Sequence, residues 1–371
     1  MSHPEAPAAP ESPAPESPAA ESPAPDSPAA EPPAAEPPAP ESPAAEPPAA
    51  EPPAAQPVPS STPRNARPLT VALDQPIAVL ANPTAGRGRH AGAFAAVVER
   101  LGAAGHPVRT LEAPDRDGAL AAARQAVRDG IAALVSVGGD GTLHLALQAV
   151  AGTGTALGVV PCGTGNDFAT HVGVPADPQE AAAAIARGLA DGQARALDLA
   201  RMTGAEGTDP VWFGAVLGAG FDSIVNERAN RMRWPRGPRR YDVAIMAELI
   251  RLKARVYTVT LDGVERTEPA IIVAVGNTAS YGGGMRVCPD ADPTDGLLDV
   301  VIGRPMSRLT MMRIKPSLYE GTHVNHPLVD QYRARTVTIA AEGITTYADG
   351  ERALPLPVTV EAVPGALTLV G

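Results

Sequence analysis

The 371-residue chain carries 41 acidic and 30 basic residues for a formal charge of -11, with only two cysteines, Cys162 and Cys288. Ten of the acids (Glu5, Glu11, Glu16, Glu21, Asp26, Glu31, Glu36, Glu41, Glu46 and Glu51) precede Thr62 in a stretch without Lys or Arg, so 31 acids face 30 bases in the remainder. A neutral body excludes a dedicated nucleic-acid binder, which needs a broad basic excess, and two cysteines exclude a disulfide framework.

Residues 1–68 repeat Pro, Ala and one acid, a composition that cannot bury enough apolar surface to fold, and are expected to be a disordered acidic tail. The start of the chain lacks the basic and apolar regions of a signal peptide, and no run of eighteen apolar residues occurs. A cytoplasmic protein is expected, one that meets any membrane ligand from outside the bilayer, with peripheral contact at the inner face.

From Pro76 the chain alternates apolar runs with alanine-rich helical patterns, the rhythm of a doubly wound parallel sheet. Strands are predicted at Ile77–Leu80, Val108–Leu111, Ile131–Val137 and Ala156–Val160. Helices are predicted at Ala91–Ala104, Ala119–Asp129, Leu143–Val150 and Pro178–Leu189. After Leu197 β-branched runs between turns take over: Val211–Leu217, Val256–Leu261, Ala270–Val275, Leu297–Ile302, Thr336–Ala340 and Val358–Ala362, with helices at Arg240–Lys253 and Ser307–Lys315. The expected architecture is α/β: a Rossmann-like nucleotide domain over 69–195, then a β-sandwich-like domain over 196–371, with a ligand cleft between them.

Three strands of the first half end in small-residue turns: Asn82-Pro83-Thr84-Ala85-Gly86, Gly138-Gly139-Asp140-Gly141-Thr142 and Gly163-Thr164-Gly165-Asn166-Asp167. Ligands of doubly wound sheets sit at the carboxyl ends of strands, where glycines and helix N-termini receive phosphate. Each turn alone is a common structural device; three in order indicate a nucleoside triphosphate site. No GxxxxGK[ST] loop occurs and the first turn lacks GxGxxG, so the architecture is neither Walker-type nor the usual dinucleotide one.

These segments, with Gly220-Phe221-Asp222, GNTASYGGGMRVCPDADPTDGLLDVV from Gly276 and the late Asp349-Gly350-Glu351, resemble the diacylglycerol kinase catalytic-domain family of NAD kinase-like fold, which includes the sphingosine and ceramide kinases. The resemblance implies an enzyme that uses Mg²⁺ and ATP to phosphorylate a lipid hydroxyl, with diacylglycerol leading and a sphingoid base or phospholipid headgroup as runner-up. It assigns Asn82, Gly86, Thr110, Gly138, Gly139, Asp140, Gly141, Thr142, Gly163, Thr164, Asn166 and Asp167 to the nucleotide, and Asp140 with Asp167 to hydrated Mg²⁺. It makes Glu351 the general base, with Asp349 beside it, and Asp140 the third catalytic residue. A structural cation is implied at Asp295 through its side chain, and at Asp292 and Leu297 through carbonyls. From the residues alone, the 349–351 triplet reads rather as a hairpin turn and the 292–299 loop rather as a solvated turn with Asx-type bonds; only the resemblance reverses that. The family pattern is interrupted at Leu143-His144-Leu145, where relatives carry Asn-Glu; His144 reads as a surface or packing histidine.

Arg228 to Arg240 groups six arginines around Trp234, either a solvated loop or a contact for anionic headgroups. NAD kinase shares GGDGT but not GTGNDFA, and a non-catalytic nucleotide- or lipid-binding regulator would have no use for a base. The expected partners are ATP and a membrane lipid, with no nucleic acid; a homodimer stays open.

Overall fold

The computed structural model describes residues 66–70, 72, 74–81, 91–103, 105–232, 234 and 239–371. The expected acidic tail and the Asn82–Gly86 turn lie outside the described residues.

The first half runs β1 (Ala66–Pro68), β2 (Ile77–Ala81), α1 (Ala91–Gly102), β3 (Val108–Leu111), α2 (Arg116–Arg128), β4 (Ala133–Gly138), α3 (Asp140–Val150), β5 (Ala156–Pro161), α4 (Asp167–His171) and α5 (Pro178–Ala190). Strands β3-β2-β4-β5 pair in parallel in that order, so the chain reverses its winding direction at β2 and β4. Alternation along these strands separates two apolar faces. Ile77, Val79, Val135 and Val160 pack with residues of α1 and α5, among them Val97 and Ile185. Ala78, Leu80, Leu134 and Leu157 pack with residues of α2 and α3, among them Ala123 and Leu147. Period-two burial on both faces makes the strand sequences continuously apolar, and each fully buried Val, Leu or Ile contributes about 1.5–3 kcal/mol.

The second half runs β6 (Gln193–Thr203), β7 (Val211–Phe213), β8 (Val216–Gly220), α6 (Phe221–Arg231), α7 (Arg239–Ile250), β9 (Arg255–Leu261), β10 (Val264–Ala270), β11 (Ile272–Gly276), β12 (Leu298–Gly303), α8 (Arg308–Glu320), β13 (Val329–Ala334), β14 (Thr336–Ala340), β15 (Thr345–Ala348), β16 (Glu351–Pro355) and β17 (Val358–Val370). One antiparallel sheet has the order β13-β12-β11-β8-β15-β16. It faces strands β9, β14, β17 and β6 across a core that includes Met202, Leu217, Val259, Val273, Val300, Ile339 and Val360, a β-sandwich.

The halves share a sheet. The long strand β17 pairs with β14 over Val358–Glu361 and with β6 over Thr359–Val363, is interrupted by an irregularity between Val363 and Leu367, and then runs parallel to β5 over Thr368–Val370. The last residues of the chain therefore complete the parallel sheet begun by the first strands. The expected single strand Val211–Leu217 is instead two, β7 and β8, separated at Gly214 and Ala215. The expected strand Ala270–Val275 divides into the end of β10 and β11.

Strand β8 leads directly into α6, and within the strand Gly218 has its Cα against the side chain of Asp222 in the first turn of that helix; a Cβ there would overlap Asp222 Oδ2. Asp222 has little room to yield: Tyr281 donates its hydroxyl to Oδ2 at 3.1 Å, and burial pushes its carboxyl up to about 6. Gly218→Ala is expected to lower unfolding free energy by about 1–3 kcal/mol, the usual cost of overpacking. In an Asp222→Ala background most of that loss should vanish, and a urea-denaturation double-mutant cycle measures both; equal losses in the two backgrounds would refute the clash.

Candidate active site

The Gly138–Thr142 turn leaves β4 and opens α3, beside the reversal point of the parallel sheet. Gly139 caps α3 and supplies no side-chain bond to its first turn; Thr142 N–H donates to Gly139 O at 3.0 Å, and a helix N-terminus without a side-chain cap is the arrangement that receives anions. The turn touches the 163–167 turn backbone to backbone: a Cβ on Gly163 would lie 2.6 Å from the Cα of Gly139, so only glycine permits this approach. Cys162 N also donates to Gly138 O at 2.8 Å.

Asn166 fastens the second turn. Its side chain bonds both the N–H and the carbonyl of Gly163 at 3.0 Å, and its own N–H donates to Asp140 Oδ2 at 2.8 Å. It does so at φ 56°, a left-handed conformation in which Asn is tolerated. Asp167, buried at the start of α4, accepts the N–H groups of Gly283 and Gly284 at 2.8 and 2.7 Å. This ties the Gly-rich segment of the second half to the phosphate-type turns of the first. Thr142 is buried beneath Gly138, Thr164 is exposed, and Thr110 is exposed on the edge strand β3.

Across from these turns stands the β15–β16 hairpin. Asp349, at φ 51°, accepts Ala215 N–H on Oδ1 at 2.8 Å and Gly214 N–H on Oδ2 at 3.1 Å. His144 Nδ1 lies 3.1 Å from the same Oδ2, and since a carboxylate can only accept, the ring donates. His144 is thus a buried residue of α3 with a specific partner 205 positions away, a contact that the expectation of a surface or packing histidine did not contain. Two residues on, Glu351 emerges beside α3: a Cβ on Gly141 would lie 2.7 Å from Glu351 Oε1. Its other oxygen accepts from Arg116 Nη1, on the first residue of α2, at 2.7 Å. Both members of this pair are partly solvated, which limits its stabilising effect to about 1 kcal/mol or less.

Asp167 and Asp349 each stand close enough to Asp140 to act on its charge. Burial first, then the charges of Asp167 and Asp349, push the Asp140 carboxyl above its ordinary value, against the lowering effect of the Asn166 N–H. A cation beside Asp140 would relieve this destabilisation. Among the described residues no three His, Cys, Asp or Glu side chains converge on one cation position. A lone carboxylate of this kind fits Mg²⁺ that keeps its waters and arrives on nucleotide phosphates, but not a metal caged by protein.

The loop between β11 and β12 is organised differently. Asp292 Oδ1 accepts Thr294 N–H and hydroxyl at 3.0 and 2.6 Å; Asp295 Oδ1 accepts Leu297 N–H at 2.9 Å, and its Oδ2 is ion-paired to Arg333. Arg333 also lies 3.4 Å from Asp299. As placed, each Asp295 oxygen has one partner and the carboxylate's charge is balanced by the Arg333 guanidinium, with which a cation would have to compete.

In the Arg228–Arg240 segment, Arg228 pairs with Glu248, Arg231 pairs with Glu227 at 2.6 Å, and Trp234 is 82% exposed. Arg233 and Arg236 lie outside the described residues. His144 and Arg116 are the site residues that sequence reasoning missed as contacts. The only sequence signal was the interruption of the family pattern at His144.

Residues 76–202 match the diacylglycerol kinase catalytic domain family, and residues 215–371 match the YegS C-terminal NAD kinase beta sandwich-like domain family. The chain is 42% identical over 295 residues to a diacylglycerol kinase of Mycobacterium tuberculosis, an alignment covering 79% of this chain and 94% of that protein. It is 31% identical over 258 residues, covering 66% of this chain and 80% of the relative, to a Stenotrophomonas maltophilia protein named "Probable lipid kinase YegS-like". The crystal structure of a Bacillus anthracis diacylglycerol kinase superposes with a TM-score of 0.59 at 20% identity, over 80% of this chain and 96% of the other, and supports the fold. The chain belongs to the diacylglycerol kinase and YegS-like lipid kinase family. It is a lipid kinase.

Asp140→Asn separates function from stability. A folded-state pKa raised above the unfolded value means that ionised Asp140 favours folding less as pH rises through that pKa, so an uncharged amide removes a cost at neutral and alkaline pH. The variant is expected to melt no lower than wild type at pH near 8 while losing most turnover. A folded Asp140→Asn with near-normal turnover would exclude the residue from the chemistry.

Proposed function

We propose that the chain transfers the γ-phosphoryl group of Mg-ATP to the free hydroxyl of diacylglycerol, giving phosphatidic acid and ADP. The observation that carries this reading is the placement of Glu351 against Gly141, in the turn that opens α3, with Asp140 in the same turn. A phosphate edge and a partly solvated carboxylate thus meet across the two halves. Phosphoryl transfer requires little more from a protein than position, charge neutralisation and a proton acceptor.

In this reading the 69–195 lobe, completed by β17, binds the nucleotide, and the 196–371 lobe presents the lipid. The 138–142 and 163–167 turns and the N-terminus of α3 hold the phosphates, and Asn82 and Gly86 of the first turn belong to the same group. Asp140, with Asp167 behind it, would hold Mg²⁺, which would supply neutralisation of the phosphate charge. The lipid hydroxyl oxygen attacks the γ-phosphorus, the bond to the β-phosphate oxygen breaks, and Glu351 accepts the hydroxyl proton. Arg116 orients Glu351 until substrates enter. Asp349 is the anchor of the turn, because its oxygens already accept three donors.

The 42% identical relative named as a diacylglycerol kinase favours that substrate, and the YegS-like relative keeps another lipid alcohol as the second reading. Labelled ATP offered with diacylglycerol, a sphingoid base and phosphatidylglycerol in mixed micelles decides between them: diacylglycerol is expected to turn over fastest. Glu351→Gln is expected to reduce kcat by about 10²–10⁴ while leaving nucleotide affinity within a few fold, since the proton moves only in the transition state. Unchanged turnover in that variant would remove Glu351 as the base.

A further inference from the structure

Helix α7 turns one face inward, where Ala244 joins Val225 and Ala229 of α6. The opposite face is apolar too: Val243, Met246 and Ile250, at helical spacings of three and four, are 46%, 52% and 64% exposed. Helix α8 repeats the pattern. None of its 13 residues is buried, and Leu309 and Met312 stand 66% and 52% exposed. The Arg308 guanidinium donates to the carbonyl of Ile250, so the end of α7 and the start of α8 are joined where the stripe residues Ile250 and Leu309 stand.

The charges around the stripes have one dominant sign. The whole chain contains only two lysines, Lys253 and Lys315, and they follow α7 and lie within α8. Arg251 and Arg313 are exposed beside them. Glu248 is paired with Arg228, and Glu320 falls at the far end of α8. Lysine and arginine stems can lie along apolar surface while their heads reach phosphate oxygens.

We propose that the outer faces of α7 and α8 form one surface that docks on an anionic lipid bilayer. The choice of ligand rests on the lipid-kinase reading; the surface itself does not. Exposed large apolar side chains with a basic rim match the acyl boundary and headgroup layers of such a bilayer. A second copy of the chain is a poorer occupant, because a two-fold contact would set the basic rim against itself. The acidic tail is poorer as well: up to Thr62 it contains no Leu, Ile or aromatic residue with which to cover the stripes. The surface also leads to the chemistry. Helix α6, against which α7 packs, carries Glu227, which accepts the Tyr347 hydroxyl at 2.8 Å and Arg352 Nε at 3.1 Å, flanking the 349–351 turn.

The test is cosedimentation of the full chain with vesicles of phosphatidylcholine, with and without phosphatidylglycerol, across a salt series. Wild type is expected to prefer the phosphatidylglycerol vesicles and to release as salt rises. Ile250→Ser/Leu309→Ser/Met312→Ser, all at exposed positions, should weaken that binding by about tenfold or more. Lys253→Ser/Lys315→Ser should lose part of the phosphatidylglycerol preference. Turnover of lipid dispersed in detergent micelles should stay at the wild-type level in both variants. Unchanged vesicle binding in the triple variant overturns the proposal, as does a wild-type dimer that the triple variant converts to monomer. Failure of wild type to phosphorylate any micellar lipid would count against the proposed function and leaves the vesicle result to decide the surface.

Discussion

The carboxylate of Asp349 accepts the backbone N–H groups of Gly214 and Ala215 and the ring N–H of His144, and the site is assembled around it. Those donors come from the break between β7 and β8 and from α3, so one side chain joins α3 to both strands of the sandwich that approach it. The backbone at Asp349 is held at φ 51°, which costs about 1–3 kcal/mol for a residue other than glycine. Hydrogen bonds to a charged acceptor return about 1.5–3 kcal/mol each, so three of them outweigh the strain. The same conformation turns the chain so that Glu351 emerges beside Gly141.

A second constraint concerns charge. Asp140 is buried next to Asp167 and Asp349, an arrangement that disfavours its ionised form and lowers stability, a cost in keeping with the cation and phosphate binding proposed for it. Asp167, beside it, accepts the two N–H groups of Gly283 and Gly284. The glycines of the 138–142 and 163–167 turns belong to this economy of space: backbone meets backbone at Gly139 and Gly163, and backbone meets carboxylate at Gly141.

Much of this was legible in the sequence where a local pattern carries it. Strands such as Val108–Leu111 and Thr336–Ala340 follow their β-branched runs to the residue, and the parallel half follows from strand-helix alternation. Where distant parts decide, the pattern misleads. Val211–Leu217 reads as one strand, but the N–H groups of Gly214 and Ala215 leave the ladder for Asp349, and the strand divides. β17 reads as ending at Ala362 because Pro364-Gly365 looks like a terminus; the strand instead passes through an irregularity and continues to Val370 to close the parallel sheet. Helix α6 went unread because its face toward α7 is short and its remainder polar. The functional turns were readable as motifs, but the His144–Asp349 and Arg116–Glu351 pairs span 205 and 235 residues, and no local signal announces a partner so far away.

The central claim is a division of labour within one turn, in which Asp349 holds the structure and Glu351 faces the substrate. Urea unfolding of Asp349→Ala beside Glu351→Ala tests it most directly. Loss of the Asp349 carboxylate leaves buried N–H groups at Gly214 and Ala215 without their acceptor and is expected to cost about 3–5 kcal/mol. Glu351→Ala, losing only a partly solvated ion pair, is expected to stay within about 1 kcal/mol of wild type. Equal stability losses in the two variants, or a larger loss at Glu351, would contradict the account.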